Sequence, residues 1–311
     1  MKPTFWNNTK LYYDLNSYWQ NLFGCRVQKL QIDAGFTCPN RDGTISRGGC
    51  IYCDGRGSKL RQAGPLPSVG EQIHRGREYY RKYRKATKFI AYFQTFTNTY
   101  APHEKLKMLY DVALEEDDVV GLSVGTRPDC VSKEVVSLFE SYAKQKHVWL
   151  ELGLQSIHDK TLQFLNRGHS AAQFLEAVDR IAGRDILICV HIIVGLPGET
   201  HTDIMETAEI LAKLPINGLK IHALLALKGT KLGTLYQRGD ISLMSREKYV
   251  SAVCDILEIM PAEMVMQRLT ADGYRDIFLG PDWAVNKLSV LNALDGELEK
   301  RDSYQGLRYK I

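Results

Sequence analysis

The stretch LICVHIIVGLPGET, residues 187–200, is an eight-residue run of apolar side chains, broken only by His191, that ends in a loop of glycines and a proline. A strand exposed on one face alternates apolar and polar residues. A run this uniform belongs to a strand covered on both faces, as parallel strands between helices are. The pattern recurs along the chain. Strand-like runs at 26–32, 89–93, 119–124, 148–154 and 218–225 are separated by amphipathic, helix-like segments at 102–114, 133–146, 170–183 and 200–214. Strand, helix, strand at this spacing implies parallel strands joined by right-handed crossovers. About six such units predict an α/β fold, a partial (β/α) TIM-like barrel of about six parallel strands, with a flat doubly wound sheet as the alternative. In either fold, ligands bind at the C-terminal ends of the strands.

Those ends are polar or glycine-rich in unit after unit: Gln94 to Asn98, Gly125 to Asp129, Glu151 to Ser156, and His191 to Thr200. The first strand leads to the same edge the stretch CPNRDGTISRGGCIYC, residues 38–53, in which Cys38, Cys50 and Cys53 stand as C-x11-C-x2-C. Three thiolates in one loop can hold a metal centre with one position open, and Gly43, Gly48 and Gly49 let the backbone curl around it. A structural zinc site needs four protein ligands, and here there is no second CxxC; the nearest histidine is His74. A cubane iron-sulfur cluster held by three cysteines leaves one iron open to a ligand, which at a barrel mouth indicates catalysis.

With 311 residues, 44% hydrophobic and 24% charged, the chain can bury a large core, which excludes a disordered or fibrous class. The other cysteines, Cys25, Cys130, Cys189 and Cys254, have no ligand spacing and read as buried apolar residues in a reducing compartment. No secretory leader or stretch of about 18 apolar residues is apparent, so a soluble cytoplasmic protein without membrane contact is expected. The net charge of +4 says little alone. From His74 to Lys88, however, a helix expected to start at Val69 carries seven basic residues interleaved with Tyr79, Tyr80 and Tyr83, a candidate RNA surface or else a solvated helix face.

Residues 1–24 read as an aromatic N-terminal extension, 25–228 as the barrel, and 229–311 as a C-terminal extension packing on it. In the last, a helix is expected at 245–259, a possible strand at 264–269, and a helix from Trp283 capped by Asp282.

Taken together, the cysteine loop, Tyr52 before its last cysteine, ELGLQS at 151–156, LNRGH at 165–169 and VGLPGET at 194–200 resemble the radical S-adenosylmethionine (SAM) enzymes, in the branch of the Elongator catalytic subunit and the oxygen-independent coproporphyrinogen oxidase. FGCRVQKLQIDAGFTCPNRDGT at 23–44 and GPDWAVNK at 280–287 resemble more narrowly the YtqA/YhcC family, which includes the tRNA-modifying MnmL enzymes. The resemblance implies that Cys38, Cys50 and Cys53 hold a 4Fe-4S cluster whose open iron binds S-adenosyl-L-methionine. It implies that Tyr52 lies beside the adenine, that Gln155 approaches the ribose and methionine groups, and that Arg167 approaches the cofactor carboxylate. Gln94 and Thr95 occupy the place of the family's glycine-rich amino-binding motif, without its glycines. Gly125 and His191 stand where relatives carry acidic residues, which leaves the ribose to Thr126, Gln155 or His191. The implied partners are a tRNA anticodon loop as substrate and an electron donor such as flavodoxin or ferredoxin. The implied reaction converts a wobble 5-carboxymethylaminomethyluridine, with or without 2-thiolation, to the 5-aminomethyl form. The competing readings are a radical enzyme acting on a small molecule or tetrapyrrole, and a non-catalytic metal or iron-sulfur protein that binds RNA.

Overall fold

The computed structural model describes residues 3–6, 10–55, 65–271 and 276–310. Most of the stretch between Cys53 and Pro67, and parts of the two extensions, lie outside the described residues. The strands are β1 (Val27–Ile32), β2 (Lys88–Phe93), β3 (Val119–Thr126), β4 (His147–Gln155), β5 (Leu187–Val194), β6 (Gly218–Ala223), β7 (Ala226–Leu227), β8 (Val265–Arg268) and β9 (Phe278–Gly280). Seven of them form one sheet in the order β1-β2-β3-β4-β5-β6-β8, every pair parallel, while β7 and β9 make a small antiparallel ribbon. The order never reverses, as it would in a doubly wound sheet. The sheet curls instead: Lys29 on β1 donates to Gln267 Oε1 on β8 at 2.9 Å, so the two edge strands face one another across the interior. The result is a half-barrel of seven parallel strands, one more than the sequence count, and its last strand comes from the 264–269 run.

The helices are α1 (Leu15–Phe23), α2 (Val69–Arg84), α3 (His103–Leu114), α4 (Lys133–Ala143), α5 (Asp159–Phe164), α6 (Ala171–Ile181), α7 (His201–Lys213), α8 (Lys231–Arg238), α9 (Arg246–Ile259) and α10 (Lys287–Lys300). Side-chain caps start most of them; Ser170 and Thr200 each complete a reciprocal capping box with the residue three positions on. The expected helix from Trp283 is not formed. Residues Asp282–Val285 make a single 3-10 turn, and α10 begins after Asn286, whose side chain accepts from Ser289 N at 3.0 Å. Trp6 and Tyr13 from the N-terminal stretch pack with Trp149, Cys189 and Val265, near the starts of the strands.

Period-two alternation decides what faces the barrel interior. On β4, Leu150, Leu152 and Leu154 join the core shared with the helices, as do Ile188, Val190, Ile192 and Val194 on β5 and Leu219, Ile221 and Ala223 on β6. Each of the leucine, isoleucine and valine side chains gives about 1.5–3 kcal/mol on burial, and together they bind the helical layer to the sheet. The intervening residues of those strands, among them Glu151, Gly153, His191, Lys220 and His222, line a cavity on the concave side. The inner surface is therefore polar, unlike the apolar interior of a closed (β/α)8 barrel. None of the described helices is long and apolar enough to cross a membrane.

Candidate active site

Six residues past β1, the backbone oxygen of Cys38 accepts from Arg41 N at 2.8 Å and Asp42 N at 3.1 Å, which starts the loop's tight curl. A turn closed by Cys53 N to Cys50 O at 3.0 Å sets the other two thiols near one another. Ile51 N donates to Leu165 O at 3.0 Å, tying the loop to the Asn166-Arg167-Gly168-His169 segment after α5. Asn40, fully buried, strengthens that joint: its Nδ2 donates to Asn166 O at 2.5 Å and lies 3.6 Å from Cys50 Sγ. Arg167 Nη1 stands 3.5 Å from the same sulfur. Burial opposes ionisation of Cys50, but Arg167 and then Arg127 outweigh it and hold the thiol below its ordinary range.

Two observations test whether these residues fit an iron-sulfur cluster and its cofactor. The first is that Cys38, Cys50 and Cys53 all border one cavity, whereas the close-set group His158, Asp203 and Glu206 includes none of them. That last group is otherwise engaged, since His158 Nε2 is 2.9 Å from the Asp203 backbone oxygen. The second observation is an unpartnered donor. Arg167 spends Nη2 on Gly153 O at 2.7 Å, yet its Nε is buried with no hydrogen-bond partner. Three thiols on one cavity wall, beside a buried guanidinium with a spare N–H, fit a metal cluster with an anionic ligand next to it.

Cys38, Cys50 and Cys53 open into a cavity of about 650 Å³ that runs from the strand ends into the half-barrel. That volume suits a nucleoside-sized ligand with room beyond it. A more open cavity of about 860 Å³ lies beside the loop, against Pro39, Tyr100 and Arg180, but it contains none of the three cysteines.

Glu151, with no exposed surface, is the hub of the inner cavity. Its Oε1 accepts from Lys29 Nζ and Ser123 Oγ, each at 2.6 Å. Its Oε2 accepts from His191 Nε2 at 2.8 Å, Tyr92 OH at 3.1 Å and Lys220 Nζ. Burial favours the neutral acid, yet Lys220 and Lys29 outweigh it and hold Glu151 well below the usual carboxylate range. Burial first, and then Lys220, push His191 down to about 4, so its ring is neutral near pH 7. An ionised carboxylate can only accept, which puts the His191 proton on Nε2. His222 is also driven down, by burial and then by Arg268.

Of the residues singled out from the sequence, Tyr52, Gln94, Thr126, Gln155, Arg167 and His191 all line the cavity with the three cysteines. Thr95 does not; it is buried outside the lining. Within the cysteine loop, Arg41 also lines the cavity, whereas Asn40 is packed behind Cys50 and Asp42 turns back on the loop to accept from Thr44 N. The Thr126 hydroxyl is 2.6 Å from that of Thr99. Gln155 sits at a bulge between β4 and β5 with φ of 79°, a left-handed conformation unusual for glutamine that carries backbone strain. At Gly153 an added Cβ would come within 2.7 Å of Arg167 Nη2 and 2.8 Å of Gln155 Nε2, so only glycine lets both side chains approach.

Sequence reasoning did not single out Glu151, Lys220, His222, Arg268 or Tyr92 as site residues, nor Arg127. Arg127 is 2% exposed, pairs with Asp129 at 2.9 Å and donates to Arg167 O at 2.7 Å, which fixes the backbone behind the cysteine loop. The signal for Lys29, Glu151 and Lys220 was a lone charge inside an otherwise buried strand.

The basic segment at 74–88 lies elsewhere. Arg77 pairs with Glu116 at 2.6 Å and Asp118 at 2.8 Å, and Arg81 also pairs with Asp118. These acids precede β3, and the last turn of α2 leads directly into β2, so the cations cluster at the strand starts, opposite the cavity. Lys82, Tyr83, Arg84 and Lys85 are exposed there.

Residues 40–211 match the Radical SAM superfamily, and residues 216–300 match the Radical_SAM C-terminal domain. Over 300 residues the chain is 43% identical to the uncharacterized protein YtqA of Bacillus subtilis, covering 96% of this chain and 93% of YtqA. A shorter match, 28% identical over 158 residues, covers 49% of this chain and 29% of the tRNA uridine(34) acetyltransferase of Methanocaldococcus infernus. Among solved structures, the archaeal Elp3 of Methanocaldococcus infernus with an N-terminal deletion aligns with a TM-score of 0.66 at 19% identity, over 90% of this chain and 64% of that one. The fold is shared; the chain spans under two thirds of that structure and under a third of the acetyltransferase.

Proposed function

Because the chain belongs to the radical SAM superfamily, whose enzymes use a 4Fe-4S cluster and S-adenosyl-L-methionine, we propose that it modifies tRNA at a wobble uridine, removing the carboxymethyl unit from a 5-carboxymethylaminomethyl side chain to leave the 5-aminomethyl form. When bound, the cluster and cofactor would supply a 5'-deoxyadenosyl radical; loss of one hydrogen atom and one further electron, returned to the cluster, would oxidise the methylene between the amine and the carboxyl group to an imine, and water would hydrolyse it to the 5-aminomethyl group and a two-carbon aldehyde acid. Cys38, Cys50 and Cys53 would hold the cluster, and the buried Arg167 Nε would meet the cofactor carboxylate. Tyr52, Gln155 and Thr126 would face the nucleoside half, with Gln94 and His191 on the facing walls. Ile193, Leu224 and Leu225 form an apolar side of the cavity, which keeps water from the reacting atoms.

The observation that carries the reading is a single cavity that joins the three cysteines to a deep polar interior, with space for a splayed-out base. The tRNA substrate is supported by the likeness of half the chain to an enzyme named for uridine 34 of tRNA. It does not draw on the basic end of α2, which faces away from the cavity. The test is anaerobic reconstitution with iron and sulfide, followed by incubation with SAM, a reductant and tRNA bearing the carboxymethylaminomethyl group. 5'-Deoxyadenosine together with the aminomethyl nucleoside is expected. Cofactor cleavage with no change at any wobble uridine would reject the substrate, and flavodoxin or ferredoxin replacing the chemical reductant would identify the electron source.

A further inference from the structure

Two buried side chains turn N–H groups toward one sulfur. Asn40 Nδ2 lies 3.6 Å from Cys50 Sγ, and Arg167 Nη1 lies 3.5 Å from it. Arg167 also borders the cavity, whereas Asn40 has no exposed surface and is not part of the lining. Which end of the Asn40 amide faces Cys50 is decided by its other neighbours. The Asn166 backbone oxygen, 2.5 Å away, can only accept, so the amide nitrogen must stand there. The amide oxygen lies 2.9 Å from Ser46 Oγ. One N–H of the nitrogen is therefore spent on Asn166, and the second is turned toward Cys50. The surroundings hold the amide in that pose. Asn166, at φ of 51°, fixes its own side chain on Gly49 O at 2.8 Å and Ser46 Oγ at 3.2 Å, and at Gly168 an added Cβ would come within 2.6 Å of Asn40 Oδ1. A neutral thiol is a weak acceptor and a thiolate a much better one, so the second N–H gains most when Cys50 is a metal ligand.

Resting on the assignment above of Cys50 as a cluster ligand, we infer that Asn40 sets the reduction potential of the cluster through an N–H···S bond to the Cys50 thiolate. Reduction by an external one-electron donor, whether flavodoxin, ferredoxin or a chemical reductant, adds one negative charge that the ligand sulfurs share. A donor to one of those sulfurs bonds more strongly to the reduced state, and so eases transfer of that electron. Asn40 lies outside the cavity and acts only through Cys50, which makes it a positioning residue.

The experiment titrates the reconstituted enzyme with a one-electron reductant and follows the reduced cluster by electron paramagnetic resonance. N40L, close to asparagine in shape but without a donor, should be harder to reduce, by up to about tenfold in the ratio of reduced to oxidised cluster, or about 59 mV for one electron. The sign separates this role from a merely structural one. A loosened loop lets water reach the sulfur and supply donors in place of the amide, which leaves the potential unchanged or raises it; either result in N40L overturns the inference. S46A loosens the same network but leaves the Asn40 amide facing Cys50, so it should keep the wild-type potential, and a fall as large as that in N40L overturns the inference too. Wild-type protein carrying heavy nitrogen in its asparagine side-chain amides decides even if N40L holds no iron. Pulsed resonance of its reduced cluster should show a nitrogen coupling that changes with the label, and the absence of that coupling overturns the inference. No reducible cluster in the wild-type protein, or a cluster that C50A keeps unchanged, rejects Cys50 as a ligand and the inference with it. A normal cluster indifferent to Asn40 removes only this role. The measurements use no RNA, so they stand apart from the choice of substrate.

Discussion

Replacing Glu151 by glutamine keeps the shape of the side chain and removes the charge that two buried ammonium groups share. In the wild-type protein Lys29 and Lys220 approach this one carboxylate from β1 and β6. In E151Q both face an amide, and five donors converge on a group that now brings N–H bonds of its own. Removing one partner of a buried pair costs about 3–5 kcal/mol. The protein can escape by deprotonating Lys29, which burial already holds below the ordinary lysine range, so this route costs at most roughly 4–5 kcal/mol at pH 7, at about 1.4 per pH unit. The two routes are compatible, and a loss of up to about 4 kcal/mol is expected, a large part of the stability of an ordinary domain. K220M should be far milder, about 1–2 kcal/mol, because Glu151 retains Lys29, Ser123, Tyr92 and His191. Urea unfolding of the cofactor-free protein measures both, with the midpoint shifting and the slope unchanged. The sign with pH is also set. The folded-state pKa of Glu151 lies below its unfolded value of 4.5, so its stabilisation is complete above about that pH and is lost as pH falls through the folded value. A loss under about 1 kcal/mol in E151Q, or an equal loss in K220M, would refute the picture of one carboxylate neutralising two lysines.

Arg127→Met should cost about 3–5 kcal/mol, since it leaves Asp129, 8% exposed at its side chain, without its cation; the reconstituted protein should also hold less iron, because Arg167 loses its backbone anchor, and iron analysis beside thermal unfolding checks both effects. His147 and His191 are each held down to about 4 from 6.5, chiefly by burial, so the unfolded chain binds protons that the folded chain excludes. Stability of the cofactor-free protein should therefore fall as pH drops from about 6.5 toward 4, by up to about 3 kcal/mol for each ring, and H147Q should remove its share of that slope in urea titrations at stepped pH. Gln155→Gly releases a left-handed backbone and should raise stability by about 1 kcal/mol while weakening SAM binding, as read by calorimetry on the reconstituted enzyme; a loss of stability would mean that φ of 79° carries no strain.

The parallel α/β architecture was legible because each strand is apolar on the face that meets the helices, and because amphipathic segments of crossover length lie between strands. The cysteine loop was legible because its ligands are close in sequence and their spacing is independent of the rest of the fold. Where the reading missed, short-range signals were ambiguous. Asp282 looked like a cap, but Asn286 four residues on captured the helix start, and the 264–269 run, lying beyond the regular strand-helix alternation, read only as a possible strand. The basic run at 74–88 looked undiluted because its counter-ions, Glu116 and Asp118, are some 35 to 40 residues away in the chain.

By itself, then, the sequence determined the repeated βα unit, the edge at which ligands bind and the three candidate cluster ligands, all of which depend on local periodicity and spacing. Only the tertiary structure decided the half-barrel's polar interior. Lys29, Glu151, His191 and Lys220 stand on four different strands, separated from one another by up to 191 positions. Curling of the sheet brings four strands around one carboxylate, and the charge balance at that point is a sum over side chains that no stretch of sequence contains.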